Sequence, residues 1–322
     1  MKEVLDGIRQ AGMRIRAFST AHVPELAQAF SDLGKHAQVD GSLYAEVSGF
    51  LSFAVPDFAR SVLVVAMPVP MVKVAFHLDG GIVKTVVPPT YAEYGKAQHV
   101  IEERLNGWLS ARGYRAAWAR CLPVKLCAAH SGLACYGRNN ICYVDGMGSF
   151  ALLSAYHSDM PCDSDDWQAP RRMAMCDHCR RCVKACPTGA IVGNRRIIDA
   201  GLCITRHNEY PGEAFPDFMQ PHFHNSAVGC MHCQTACPAN AGQLDRVVMG
   251  GVFDKAETAA LLEDREAADV PEPLMEKLRA VGLAGYHKML RRNLLAISQG
   301  GGYADTPAIA RWVLDKSAGN PV

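Results

Sequence analysis

Cys176, Cys179, Cys182 and Cys186 follow one another as C-x2-C-x2-C-x3-C, with Pro187 directly behind. Thiolates this close in sequence must converge on one cationic centre, and the spacing is the one that wraps a cubane iron–sulfur cluster. A shorter copy follows in Cys230, Cys233 and Cys237, then Pro238. In two-cluster proteins the Cys set off by three residues and followed by Pro ligates the other cube. Two cubes need eight thiolates, and the two runs supply seven. Cys203, the only Cys between them, takes the remaining place. The expected sets are Cys176, Cys179, Cys182 with Cys237, and Cys186, Cys203, Cys230 with Cys233. Zinc also uses C-x2-C pairs, but it does not account for three Cys in successive steps or for the matched Cys-Pro endings. Two clusters imply electrons moved one at a time.

The chain has 322 residues, too many for these clusters alone, and can bury a large core in two units. Its thirteen Cys are an odd number, which argues against a disulfide framework. Of Cys121, Cys127, Cys135, Cys142 and Cys162, most read as small core residues. Met1 to Gly12 carries Lys2, Glu3, Asp6 and Arg9 among apolar residues, an amphipathic helix start and not a secretory segment. No apolar run is long enough to span a membrane, so the expected location is cytoplasmic. A net charge of +1 makes no global case for nucleic acid. Locally, Arg171, Arg172, Arg180, Arg181, Lys184, Arg195 and Arg196 surround one acid, Asp177. Two readings stand: charge balance for anionic clusters, or a docking patch for an acidic electron donor.

Val62–Met67, stopped by Pro68, reads as a buried strand, and Phe150–Tyr156 as another. Thr90-Tyr91-Ala92-Glu93 is a capping box for a helix with Tyr94, Ala97, Ile101, Leu105 and Trp108 on one stripe and Gly113 as its stop. Ser131 to Asn140 is a Gly- and Asn-rich loop, either a close approach of backbone to a ligand or an ordinary tight connection. After Cys237 the chain reads as helical. Pro273, Leu274, Leu278 and Val281 make one stripe, and Tyr286, Met289, Leu290, Leu294 and Ile297 the next. Thr306-Pro307 opens a last helix after the Gly300–Gly302 loop. No P-loop occurs, and Gly146 to Ala151 spells G-x-G-x-x-A before a strand, the wrong order for a dinucleotide site. His222-Phe223-His224 reads as a solvated loop, a metal site being the alternative.

With these residues in place the chain resembles the family of epoxyqueuosine reductases and reductive dehalogenases. The resemblance rests on Pro123-Val124, Ser131-Gly132-Leu133, Tyr136-Gly137-Arg138-Asn139-Asn140 and Gly148-Ser149-Phe150. It continues through the first Cys run and Pro187 to Ile191, Cys203-Ile204-Thr205, Gly229 to Cys233 and Arg291 to Leu294. It implies an α+β fold: a nitroreductase-like α/β cofactor and substrate domain (1–165), a bacterial ferredoxin-like double [4Fe-4S] domain (166–245) and a C-terminal helical segment packing back on the core (246–322). It also implies a base-off cobalamin reduced through the two clusters for reductive cleavage in a small-molecule substrate. Ferredoxin or flavodoxin would be the electron donor. Tyr136, Gly137, Arg138, Asn139, Asn140, Gly148, Ser149 and Phe150 would line the cofactor pocket.

Two features depart from the family. No helical repeat follows Cys237, so no tRNA or DNA partner is expected. Trp118 to Pro123 carries no acid where the family places an Asp proton donor; Tyr91, Tyr94, Tyr136 and His130 are the substitutes. The alternatives are a corrinoid-free electron-transfer protein or reductive activator of a corrinoid or flavin partner, and a relative that binds FMN.

Overall fold

The computed structural model describes residues 6–8, 10–36, 39–91, 94–192, 197–212, 214–263 and 265–300. The Ala92–Glu93 half of the capping box, Arg195, Arg196 and the helix expected at Thr306 lie outside them. The described strands are β1 (Arg14–Ser19), β2 (Ser61–Pro68), β3 (Met71–Leu78), β4 (Gly81–Val87), β5 (Ala116–Trp118), β6 (Ala134–Tyr136), β7 (Cys142–Val144), β8 (Ala151–Ser158) and β9 (Val247–Phe253). The helices are α1 (Val23–Gly34), α2 (Gly41–Phe50), α3 (Tyr94–Ser110), α4 (Val124–His130), α5 (Arg181–Ala185), α6 (Ile204–Glu209), α7 (His232–Thr235), α8 (Lys255–Leu262), α9 (Glu272–Ala280) and α10 (His287–Ser298). The fold is therefore mixed α and β.

Packing divides the chain into two units, and neither is continuous in sequence. One holds residues 1–68, 95–180 and 191–199; the other holds 69–94, 181–190 and 200–322. This differs from the serial division expected at 165 and 245, and it splits the first Cys run between Arg180 and Arg181.

In the first unit β1, β2, β8 and β5 form one antiparallel sheet in that order. Val62, Leu63, Val64, Val65 and Ala66 of β2 are all fully buried, so both faces of this strand are covered. That explains an unbroken apolar run where a half-exposed strand would alternate. Each of the Val and Leu side chains contributes about 1.5–3 kcal/mol of burial. Helix α3 buries Ala97, Ile101, Leu105 and Leu109. It ends as the sequence indicates: Gly113 adopts φ 76°, and the Tyr114 N–H reaches back to the Leu109 carbonyl at 3.1 Å. The Ser131–Asn140 stretch is not wholly loop, since its Ala134–Tyr136 part pairs with β7 as a short hairpin. Asn140 turns it with φ 60°.

In the second unit the sheet order is β4-β3-β9. β9 corrects the expectation of an all-helical stretch after Cys237: it runs parallel to β3, with a bulge at Lys73/Val74. Gly250 allows this, because a Cβ there would run into Val72 and Val281 side chains. Phe76 and Phe253 stack across the pair at 4.6 Å. Asp254 and Glu257 then form a capping box, each accepting the other's backbone N–H at 2.8 Å, and start α8. Leu274, Leu278 and Val281, and after them Met289, Leu290, Leu294 and Ile297, are buried as their spacing requires. Among the described residues no helix is long and apolar enough to cross a membrane.

Candidate metal centre

Helices α5 and α7, one from each Cys run, pack against each other in the second unit. Each ends in a Cys-Pro step, at Cys186-Pro187 and Cys237-Pro238, where the missing proline N–H stops the helix. This brings four thiols into mutual range. Cys230 feels the charges of Cys233, Cys203 and Cys186, and Cys203 feels that of Cys186. Burial pushes the Cys230 thiol well up, and the neighbouring thiols add to it. Cys203 is also raised by burial, while the backbone N–H groups of Thr205 and Arg206 at the start of α6 pull it back. Such N–H donors aimed at sulfur stabilise added negative charge. Among the described residues no three His, Cys, Asp or Glu side chains close tightly enough to hold a single metal ion.

The loop carrying Cys230 is held by amide side chains that the sequence reading did not assign. Asn208 donates to the Gly229 carbonyl at 2.8 Å. Asn293 donates to the carbonyls of Asn208 and Ala227, both at 3.0 Å. Asn225 accepts the Met231 N–H at 3.1 Å. All three asparagines are at most 2% exposed. Tyr91, a candidate acid, donates its hydroxyl proton to Glu209, and burial lifts its pKa well above the ordinary value. Glu209 is raised as well, first by burial. The Tyr91 ring lies against Gly229 and within charge range of Cys203. A buried phenol raised this far is a poor acid and a good prop.

In the first unit Arg138, 3% exposed, reaches the loop of the other Cys set. Its Nε donates to the Cys179 carbonyl at 3.3 Å, and its Nη2 to the Cys176 carbonyl. Asn139 donates to the Tyr143 hydroxyl at 2.9 Å. Gly137 lacks a Cβ because Asn139 Oδ1 and the Tyr143 ring stand 2.5 and 2.6 Å from where one would sit. Ser149, Phe150 and Tyr136 are buried, and Gly148 and Asn140 take positive φ. Arg138, Asn139 and Gly137 thus serve the Cys176–Cys179 loop and the β6–β7 turn. His130 stacks on Trp167 at 4.3 Å, and its Nδ1 is 3.0 Å from the Gln168 carbonyl. The side chain of Tyr94 lies outside the described residues. Cys127 and Cys142 are buried as small core residues, and burial raises their thiols to about 12 and about 11. Within His222 to His224 only His222 is exposed; His224 is 1% exposed.

Residues 175–240 match the family model of the 4Fe-4S double cluster binding domain. An epoxyqueuosine reductase of Burkholderia pseudomallei is 30% identical over 217 residues, covering 64% of this chain and 52% of its own. One of Pseudomonas aeruginosa is 31% identical, covering 65% and 57%. The chain thus spans about half the length of these curated relatives. Among solved structures, epoxyqueuosine reductase from Bacillus subtilis superimposes with a TM-score of 0.62 at 20% identity, covering 93% of this chain and 81% of that one. A crystal structure of epoxyqueuosine reductase with an epoxyqueuosine-modified tRNA-Tyr stem loop gives 0.63 at 20% identity, with the same coverage. That tRNA complex overturns the expectation of a small-molecule substrate and of no tRNA partner. FMN finds no support among these relatives. The chain is similar in sequence to epoxyqueuosine reductases and matches the 4Fe-4S double cluster binding domain over residues 175–240.

Proposed function

We propose that the chain is an iron–sulfur reductase acting on epoxyqueuosine held in tRNA. The observation that carries this reading is the convergence of Cys186, Cys203, Cys230 and Cys233 in one unit, inside a double-cluster domain. These four hold one cube; Cys176, Cys179, Cys182 and Cys237 hold the other. The first unit is read as nitroreductase-like and the cluster region as ferredoxin-like. Reductive cleavage of an epoxide C–O bond takes two electrons and is completed by protons. Cubanes store and pass such electrons singly. The protein's own work is to hold the ligand loops rigid, through Arg138 on one and Asn208, Asn225 and Asn293 on the other. The N–H groups at Cys203 set how readily its cluster accepts charge.

The resemblance also implies cobalamin. Of the residues the resemblance assigns to it, Arg138 and Asn139 bond protein groups, and Asn139 and Tyr143 crowd Gly137. No step is therefore routed through a corrin. The reading places the chain in the cytoplasm, where its thiols stay reduced. The test supplies anaerobic, cluster-loaded protein with a strong reductant and a tRNA stem loop bearing epoxyqueuosine. Conversion of the modified base is expected. No conversion by protein holding its full iron content would overturn the reading.

A further inference from the structure

A cavity of about 220 Å3 lies in the second unit between the 214–224 segment and α10. Phe215, Met219, His224, Arg291, Arg292 and Gln299 line it, and none of the eight proposed cluster ligands does. Among the described residues no carboxylate lines it. His224 is 1% exposed, yet neither ring nitrogen has a hydrogen-bond partner among the described residues. Arg292 is anchored by its Nη atoms to the carbonyls of Gly212, Tyr210 and His207. Its Nε is buried and without a partner there. Phe215 fixes both groups: the Arg292 guanidinium lies 4.1 Å from its ring centre and the His224 ring 4.4 Å. Arg291 is exposed beside them. The anchored Arg292 with its buried, unpartnered N–H, the exposed Arg291 and the unpartnered imidazole make a pocket rich in donors among the described residues.

We propose that this pocket binds a phosphate oxyanion, whether free phosphate or a phosphate of an RNA backbone. A carboxylate offers oxygens in one plane, whereas a phosphate presents them tetrahedrally to donors arriving from separate directions. Burial lowers the His224 pKa to about 4, with Arg292 and His232 adding to it. Near neutral pH the ring is therefore an uncharged donor on one nitrogen and an acceptor on the other. A protonated phosphate oxygen satisfies that acceptor; a backbone diester leaves it open. The site is separate from the cluster ligands, so it stands or falls independently of the proposed reaction.

The test is calorimetric titration of the cluster-loaded protein with inorganic phosphate, comparing wild type with His224→Phe and Arg291→Gln. The Phe variant keeps the ring against Phe215 and removes both nitrogens. The Gln variant changes an exposed residue and leaves folding intact, which an unchanged cluster spectrum verifies. Each is expected to weaken phosphate about ten-fold, the cost of a charge-assisted or buried bond. No saturable phosphate binding by wild type, or equal affinity in all three proteins, would overturn the proposal. Displacement of an RNA stem loop by phosphate would assign the site to the RNA backbone, and phosphate binding without displacement would assign it to free phosphate.

Discussion

Gly229 has no room for a side chain on two counts. Its φ is 64°, and the Tyr91 hydroxyl would stand 2.5 Å from a Cβ. The next residue is Cys230, so any relief of that clash moves a cluster ligand. Gly229→Ala is expected to lower iron from about eight to about four per chain, the loss of one cubane; iron analysis and the visible spectrum report it. Full occupancy would mean the loop absorbs the shift. Another residue-scale effect is electrostatic. Burial pulls the His22 pKa down, but its bonds to Glu25 (2.6 Å) and Asp165 (2.9 Å) outweigh this and leave it raised. A raised histidine stabilises the fold below its unfolded pKa of about 6.5, and that contribution is lost as pH rises through the folded value. Thermal unfolding of wild type and Asp165→Asn, followed from about pH 6 to about pH 8, should converge at the alkaline end. A constant difference across that range would remove His22 from the account. The Cys positions were legible because coordination is written into local spacing. The roles of Gly229 and Tyr91 were not, since 138 positions separate them in sequence and the contact exists only once the chain is folded.

At the scale of elements, α10 does more than bury its apolar stripe. Asn293 sits between Met289, Leu290, Leu294 and Ile297, and it ties α6 and the Cys230 loop to the helix through two bonds. Spacing alone marked α10 as a core face, correctly, but gave no reason for an amide within it. Asn293→Ala strands two buried carbonyls and should cost about 2–4 kcal/mol. Hydrogen exchange at Met231, whose N–H is bound by Asn225, should quicken in the variant more than at α3. Uniform quickening would indicate general destabilisation and not a released loop. β9 was missed for a related reason. It carries Gly250 and Gly251 and exposes Val248, Met249 and Val252, so it has neither an alternating nor a continuous apolar pattern. Its partner β3 lies far back in the chain, and parallel pairing leaves no hairpin signal between them.

Across the whole molecule, charge says less than its placement. The net value of +1 suggested no nucleic acid, yet Arg171, Arg180, Arg181 and Lys184 are all exposed around the first Cys run. Arg172 has an acid near it, Asp177 at 4.0 Å. Whole-chain net charge averages away a local basic surface, so composition says nothing about a local partner site. Two physical roles compete for these side chains: neutralising anionic clusters, or meeting phosphates of the proposed tRNA substrate. Salt separates them, because each phosphate neutralised by a basic side chain releases condensed counterions and steepens the dependence of affinity on salt. Stem-loop affinity measured across a salt series should fall linearly on a double-logarithmic plot. In an Arg180→Gln, Arg181→Gln, Lys184→Gln variant that keeps its iron, the slope should flatten by about 0.7 for each phosphate of single-stranded RNA that no longer meets a cation. The cluster potentials should move little, since exposed charges are screened within about 10 Å at ordinary ionic strength. An unchanged slope with shifted potentials would instead assign these residues to the clusters and leave RNA binding to other surfaces.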